Sequence, residues 1–493
     1  MSQWNTPYTL LQEELRQRVD ERCVVPAELR AAILSLDPVD DAWNEAVVWG
    51  LYDELDAIEV DAELAADEPN ELSAIRHLRP DGLRDLHWSP SSEELVDRLH
   101  GAWTGRAVGC ALGKPVELIG IRRPDGREVI KQYLVSRGDW PLVDYFSGRD
   151  VGDGIDLWCP ASTRERITCM EPDDDIHYSL TGLAVIETHG PEFTWANVAD
   201  WWMRHIPIGD ICTAESQAIL NWMNKSARWG SDGGAAYSAT PEFCRRHRNP
   251  YREWIGAQIR SDGWAWVCAG RPELAAEFAY RDACWTHERN GIYGEMMFAA
   301  MQAAAFVVSD PRALIAIGLS EIPRSCRLAN VIHRTLEICA NASDWEDAVR
   351  GIEELTDAMS PPVMSGVHTI NNAAICVAAL LFWRNGLGSR TYDRRDGRER
   401  HRLQWCFGRI NRGSGGGSIV LRRGSGCAPE RHDSAQHHRI QRDHHEGVGG
   451  QDCHPVATRR RVGETPLNIR ATTPDRNFFA NAPSCLRRQR SDQ

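Results

Sequence analysis

The sequence predicts an all-α protein, on three observations. Its apolar runs are long, rich in alanine and spaced at the three- and four-residue intervals of a helix. The period-two alternation of a half-buried strand is rare, and Gly and Pro stand between the runs, where loops belong. With 42% hydrophobic residues among 493, the chain can bury a sizeable core. Its length suits either several domains or one large domain with an extension.

The clearest helical runs lie in the middle of the chain and predict one all-α domain over residues 89–385. These runs are residues 93–112, 179–188, 294–308, 313–317, 326–340 and 371–382. Residues 1–88 are acidic and also patterned as helices, with Leu10, Leu11 and Leu15 at helical spacing and a second amphipathic stretch at 46–58. They carry no chemical motif, so we expect a helical extension packed on the main domain.

The composition changes near Gly386. Residues 389–493 contain 21 Arg against 11 Asp and Glu, and 7 of the 17 His of the chain. No amphipathic helix of useful length is left there, so residues 386–493 have the composition of a basic, disordered tail.

The net charge and the cysteines of the chain indicate which binding partners and which cellular location to expect. The net charge of -14 argues against binding to nucleic acid or to an anionic membrane. No stretch has the roughly 20 apolar residues that span a bilayer. The 15 cysteines are scattered without a CxxC pair, which favours reduced thiols and a cytoplasmic location.

The first motif is a glycine-faced helix at residues 97–117. Gly101, Gly105 and Gly109 recur every four residues and therefore share one helical face, which permits close approach of a neighbouring helix or a ligand. Tight packing alone is one interpretation. The other adds that residues 113–115, Gly-Lys-Pro, end the helix and deliver Glu117 into a pocket.

The second motif is an acidic cluster at a predicted helix start. Asp173, Asp174 and Asp175 follow Pro172 and precede an apolar run. Capping and the helix dipole explain one carboxylate there, but three adjacent carboxylates repel one another unless a cation compensates them. Hard divalent ions such as Mg²⁺ take such oxygen ligands. A metal site is the sharper interpretation, and a solvated acidic cap is the alternative.

The third motif lies at residues 281–296. Asn290-Gly291 is a turn signal, and Gly294 opens an alanine-rich helix. Backbone N–H groups at a glycine-rich helix start suit a phosphate, although the signal is weak by itself. His287, just before it, could equally be a structural histidine.

Taken together, these segments resemble the ADP-ribosylglycohydrolase family, which includes dinitrogenase reductase-activating glycohydrolase and the ADP-ribosylhydrolases. Residues 97–117 resemble the opening helix of that family. The family has Thr-Asp-Asp-Thr where this chain has residues 173–176, so Asp173 replaces the usual Thr. The segments 290–296 and 320–330 also fit a bacterial branch of the family.

The resemblance implies a helical bundle with a central metal cleft, in which two Mg²⁺ ions orient the ribose of ADP-ribose and activate water. It implies metal ligation by Asp173, Asp174 and Asp175, and catalysis by Glu117 and Asp174, with Glu117 as general base or substrate-orienting carboxylate. The partner would be an ADP-ribosylated protein or a small ADP-ribosyl molecule. The residues expected to bind substrate are His287, Asn290, Gly291, Tyr293 and Gly294.

The second metal motif of the family, Asp-x-Asp followed by Cys-Asn-Gly, is missing. Residues 400–415 read Arg-His-Arg-Leu-Gln-Trp-Cys-Phe-Gly-Arg-Ile-Asn-Arg-Gly-Ser-Gly in its place. Codons for this stretch, read one nucleotide later, can encode Asp-Thr-Asp-Cys-Asn-Gly-Ala-Ser-Ala-Gly-Ser-Ile-Val-Gly-Ala. Each shifted position permits few residue types, so we interpret residues 386–493 as the product of a frameshift between about residues 381 and 390. A genuine basic tail is the alternative.

The missing motif affects the expected activity. A guanidinium cannot ligate Mg²⁺, so we expect weak or absent metal binding and little hydrolase activity from the chain as printed. Two functions remain open: a hydrolase of an ADP-ribose glycosidic bond, and a non-catalytic ADP-ribose-binding or structural member of the same fold. A nucleic-acid binder would depend on the basic tail alone. The sequence leaves the oligomeric state open.

Overall fold

A computed structural model describes residues 3–37, 44–122, 125–142, 144–149, 155, 157–225 and 239–382. All of them belong to one compact unit within Met1–Arg422. The predicted tail, residues 386–493, and the stretch 400–415 lie outside the described residues.

The described residues form α-helices and contain no strand, only an isolated bridge between Trp254 and His368, so the all-α prediction is confirmed. The helices are α1 (Pro7–Asp20), α2 (Ala27–Leu34), α3 (Glu45–Asp56), α4 (Ala62–Asp67), α5 (Leu72–Leu78), α6 (Ser92–Gly113), α7 (Glu117–Arg122), α8 (Gly126–Ser136), α9 (Asp174–His189), α10 (Trp195–His205), α11 (Thr213–Lys225), α12 (Pro241–Arg246), α13 (Ser261–Val267), α14 (Pro272–Ala283), α15 (Asn290–Ala305), α16 (Pro311–Leu319), α17 (Arg327–Asn341), α18 (Trp345–Met359) and α19 (Thr369–Phe382).

Local signals set the ends of the helices that carry the site. Ser91 caps α6 by accepting a hydrogen bond from the Glu94 N–H at 3.1 Å, and acidic residues in the first turn favour the positive end of the helix dipole. Helix α9 stops at Gly190, whose φ of 71° lies in the left-handed region that glycine adopts at low cost. The six predicted helical runs overlap α6, α9, α15, α16, α17 and α19.

Helix α15 is the central helix of the fold. All of its residues from Asn290 to Ala304 are buried, as expected for a helix that is apolar on every side. Met297 and Met301 belong to one apolar cluster with α17 and α19, while Ala299 and Ala303 belong to a second cluster with α13 and α14. Helix α15 therefore joins the two halves of the core.

The segment before α6 packs on this body through apolar contacts. Leu11 and Leu15 of α1 and Tyr52 of α3 share a buried cluster with Tyr251 and Trp254 of the main body. The edge-on contact between the rings of Trp4 and Trp254, 6.3 Å between centroids, adds to it.

Buried ion pairs also join this segment to the main body. Glu14 and Glu21 of the segment lie 2.7 and 2.8 Å from the guanidinium nitrogens of Arg252, and Glu68 lies 2.7 Å from Arg327. Burial by itself would raise the pKa of Glu21, but Arg252, Arg289 and Arg18 lower it to about 2. The carboxylates of the segment are therefore counter-charges for arginines of the body.

Two further findings concern the described part of the chain. None of its helices combines the length and the apolar character needed to cross a membrane. No two of its 11 cysteines are joined to each other by a disulfide.

Candidate functional site

The acidic motif lies at the N-terminus of α9, as the sequence predicted. Asp173 is the N-cap residue, and its Oδ1 accepts a hydrogen bond from the Asp175 N–H at 3.1 Å. Asp173 and Asp175 are buried, with 7% and 1% of their surface exposed, while Asp174 is half-buried. A solvated acidic cap would leave all three exposed, so this interpretation does not describe Asp173 and Asp175.

Helix α6 faces this cap and supplies a third potential ligand. The Cys110 sulfur and one carboxylate oxygen each from Asp173 and Asp175 lie within 4.8 Å of one another. We call these three residues the ligand cluster. Its donors come from two helices that are distant in sequence, and all three side chains are buried.

Lys114 provides a cation at the first of the two carboxylates. Its Nζ lies 3.0 Å from Asp173 Oδ2 and also donates to the carbonyl of Pro172. The ammonium stands just past the end of α6, in the short 3₁₀ turn Lys114–Val116. Burial disfavours the charged form, but the Asp173 carboxylate outweighs this, and the pKa of Lys114 is raised.

Arg106 provides a cation at the second carboxylate. Its Nη2 lies 3.0 Å from Asp175 Oδ1, and its Nε lies 3.0 Å from Asp262 Oδ2. Nη2 also donates to the carbonyl of Ile259 at 2.7 Å, and Asp262 accepts from the Ser179 hydroxyl at 2.8 Å. Burial, only partly offset by Arg106, raises the pKa of Asp262. Arg106 thus holds both the side chain and the main-chain carbonyl of Asp175 in place.

The charges of the two predicted catalytic carboxylates, Glu117 and Asp174, influence the pKa of one neighbouring thiol, that of Cys212. Cys212 is an exposed residue, although nearby protein atoms partly desolvate its sulfur. Desolvation, followed by the charges of Asp174, Glu215 and Glu117, raises the pKa of the thiol to about 12. Glu117 begins α7, directly after the turn that carries Lys114, and is half-buried. Glu117 and Asp174 therefore both lie within electrostatic range of Cys212.

This arrangement lies inside a stretch with a recognisable family pattern. The family model described as ADP-ribosylglycohydrolase matches residues 91–393, more than half of the chain. The chain belongs to the ADP-ribosylglycohydrolase family. Searches of curated proteins and of solved structures found no match. The ADP-ribosylglycohydrolase match begins at α6 and ends before residue 400, so the stretch that would encode the second metal motif lies beyond it. The frameshift itself stays a prediction.

The residues expected to bind substrate at α15 lie inside the protein. Helix α15 begins at Asn290, four residues before the expected start at Gly294. The Asn290 N–H donates to Glu253 Oε1 at 3.2 Å, and its side-chain amide donates to Glu253 and to Glu68 at 2.8 Å. Protein carboxylates therefore occupy the helix N-terminus at which the sequence predicted a diphosphate.

The other members of that group have similar surroundings. The Tyr293 hydroxyl donates to the carbonyl of Pro69 in the segment before α6. An added Cβ on Gly291 would lie 2.6 Å from the Arg252 carbonyl oxygen, so this glycine serves close packing. Gly294 is in the same position against Thr369. A diphosphate at this helix start would have to displace these internal contacts.

His287 is the fifth residue of that group and is fully buried. Its Nδ1 lies 2.8 Å from the Thr286 hydroxyl, and its Nε2 lies 3.9 Å from Glu215 Oε1. Burial and then the charge of Arg260 hold the pKa of His287 well below its usual value. These contacts suit the structural interpretation of this histidine.

The ligand cluster suits one divalent ion, provided that the ion can compete with the protein cations already bound to its carboxylates. Asp173 and Asp175 offer the oxygen ligands that Mg²⁺ prefers, whereas a neutral Cys110 thiol is a poor ligand for it. Both carboxylates already have a protein cation with which an ion would compete. Arg106 is anchored to two carboxylates and two carbonyl oxygens, whereas Lys114 contacts one carboxylate and one carbonyl oxygen. Among the described residues, no second group of three such ligand atoms lies as close together.

The sequence interpretation missed Arg106, Cys110 and Lys114 as site residues. They lie four residues apart along α6 and the turn after it, on the side that meets α9. A charged residue between the buried glycines of a helix was the available signal. The partners, such as Asp262, lie far away in sequence, where no local pattern indicates them.

Proposed function

We propose that this domain holds an ADP-ribosyl group at the junction of α6, α7 and α9, and that its family reaction is hydrolysis of the glycosidic bond of that group. The observation that supports this is the buried pair Asp173 and Asp175, which lies within the family match together with Glu117. Paired, buried carboxylates at a helix N-terminus are costly unless a cation or a polar ligand compensates them. The substrate would be an ADP-ribosylated protein or a small ADP-ribosyl molecule.

Each residue of the junction has a role in this proposal. A bound Mg²⁺ ion would supply positive charge that orients the ribose hydroxyls and makes a water more acidic. Asp173, Asp174 and Asp175 would hold that ion. Glu117 would accept the proton of the attacking water or fix a ribose hydroxyl. Arg106 would keep Asp175 in one orientation, as an anchored partner does for a ligand.

The chain as printed would be a weak hydrolase. Lys114 and Arg106 already compensate Asp173 and Asp175, and the second metal motif is absent from the sequence. The same two ion pairs favour a second candidate, a non-catalytic ADP-ribose-binding protein that needs no metal. A cytoplasmic location would suit either function.

The decisive experiment compares release of ADP-ribose from a modified protein, with and without Mg²⁺, by three chains. These are the printed chain, a chain with the reading frame restored from about residue 385, and the restored chain with Asp174→Asn. We expect Mg²⁺-dependent release by the restored chain, strongly reduced by Asp174→Asn, and little by the printed chain. Calorimetry with ADP-ribose follows binding alone.

Each result separates the candidates. Binding of ADP-ribose without release by any chain would favour the non-catalytic function. If the restored chain neither binds nor releases ADP-ribose, the proposed function is wrong. Sequencing the gene around codons 380–420 tests the frameshift independently, because a clean read in the present frame would remove it.

A further inference from the structure

We propose that the Lys114 ammonium is a built-in counter-cation of the ligand cluster, which competes with a divalent ion for Asp173 and so weakens metal binding. This inference rests on the proposed function, because it takes Asp173 as a metal ligand. It adds a residue that sets the metal affinity.

The contacts place the ammonium on a carboxylate of the ligand cluster. Nζ lies 3.0 Å from Asp173 Oδ2, with 10% of the lysine side chain and 4% of the Asp173 side chain exposed. The carbonyl of Pro172 accepts a second hydrogen bond from Nζ. A divalent ion about 2.1 Å from the same carboxylate oxygen would lie well within repulsive range of an ammonium held there.

A charge count agrees with this competition. Asp173, Asp174, Asp175 and Asp262 carry four negative charges, and Arg106 and Lys114 offset two of them. Without the ammonium, three negative charges would remain, so a divalent ion would be attracted more strongly. The effect is larger in a buried site because the low dielectric strengthens each interaction between charges.

The two cations at the ligand cluster, the Lys114 ammonium and the Arg106 guanidinium, differ in how firmly they are held. A guanidinium is a planar fork that grips several oxygens, as Arg106 does, whereas an ammonium is a compact point charge on a flexible stem. Only 3 of the 56 basic residues in the chain are lysines, and one of them is at this position. Lys114 is therefore the cation that can leave the ligand cluster, and Arg106 is the one that stays.

The test measures binding of Mn²⁺ to the full printed chain by electron paramagnetic resonance, with Mg²⁺ as competitor. Lys114→Gln keeps a hydrogen-bond donor for Pro172 but removes the charge. Lys131→Gln is the matched control, because Lys131 is also ion-paired, 2.8 Å from Glu346 on α18. We expect Lys114→Gln to lower the Mn²⁺ dissociation constant by at least about tenfold and Lys131→Gln to leave it unchanged.

A second measurement needs no variant and keeps the proposal testable if Lys114→Gln fails to fold. With three lysines in the chain, acylation by an N-hydroxysuccinimide ester can be followed at each one by peptide mass spectrometry. We expect Mg²⁺ to speed acylation of Lys114, because the ion displaces Nζ from Asp173, and to leave Lys131 unaffected.

The outcomes are distinct. Equal Mn²⁺ affinity in the wild type and Lys114→Gln, or Lys114 acylation that ignores a bound ion, would overturn the role of Lys114 and leave the metal site intact. Absence of Mn²⁺ binding in both the wild type and a folded Lys114→Gln variant would overturn the inference. The proposed function would still be tested separately in the chain with the restored reading frame, because the printed chain lacks the second metal motif.

Discussion

Replacement of Arg327 by Met tests whether the segment before α6 is part of the folding unit. Arg327 Nη2 lies 2.7 Å from both Glu68 and Glu253, and Nη1 donates to the carbonyl of Asp20 at 2.9 Å. Both carboxylates are fully buried as side chains, and Arg327 is the largest influence that holds the pKa of Glu253 low against burial. Without the arginine, two buried carboxylates lose the cation that they share. Breaking a buried pair in this way costs about 3–5 kcal/mol.

The assay is thermal unfolding followed by circular dichroism. At about 2.1 cal/mol/K per residue, the roughly 350 described residues have an unfolding entropy of about 0.7 kcal/mol/K. The expected loss therefore lowers Tm by about 4–7 °C. Arg324→Met, three residues away and exposed, is the control and should cost less than about 0.5 kcal/mol. Adding Glu68→Gln to Arg327→Met should recover part of the loss. An unchanged Tm in Arg327→Met would refute the reasoning.

Two further predictions concern the pKa of the buried Glu295 carboxyl and the pKa of the Cys212 thiol. Burial and then the Asp282 carboxylate raise the pKa of Glu295 well above 4.5, against the charge of Arg260. The folded chain then keeps a proton that the unfolded chain loses, so stability falls as pH rises above about 4.5, by up to about 1.4 kcal/mol per pH unit until the folded pKa is reached. Glu295→Gln cannot lose that proton, so its advantage in urea unfolding should grow from pH 5 to pH 8; a constant difference would contradict this. Near the ligand cluster, Asp174→Asn should lower the pKa of Cys212 and speed its alkylation by iodoacetamide at pH 8.5, and Glu117→Gln should do so to a smaller extent. An unchanged rate in both variants would contradict this influence of the two carboxylates on the thiol.

Helical periodicity made much of the fold predictable. Apolar spacing located α6, α9, α15 and α19, and the rules for capping placed Asp173 at the start of α9. Helix α18 was missed although its buried Ala348, Val349 and Ile352 stand at helical spacing. The prediction relied on long alanine-rich apolar runs, and an amphipathic helix with charged residues between its apolar positions is not such a run.

The candidate site was predictable only where its parts are local. The carboxylates of α9 and the end of α6 form compact motifs, so the sequence could single them out. The pairing of Arg106 with Asp262 is a tertiary contact and leaves no sequence pattern. The helix start at Asn290 carried the right local signal for an anion, and the fold supplies that anion internally as Glu253. The local sequence therefore indicated that an anion binds at this helix start, but not whether the anion belongs to a ligand or to the protein itself.

The buried ion pairs also show that the region of family similarity is shorter than the unit that must fold together. Arg252, Arg289 and Arg327 lie within residues 91–393, whereas Glu14, Glu21 and Glu68 lie before residue 91. Trimming the polypeptide to the matched region would remove a buried carboxylate partner from each of these three arginines and uncover the apolar surface on which the segment packs. A fusion of this domain to another protein would therefore have to include the preceding acidic helices.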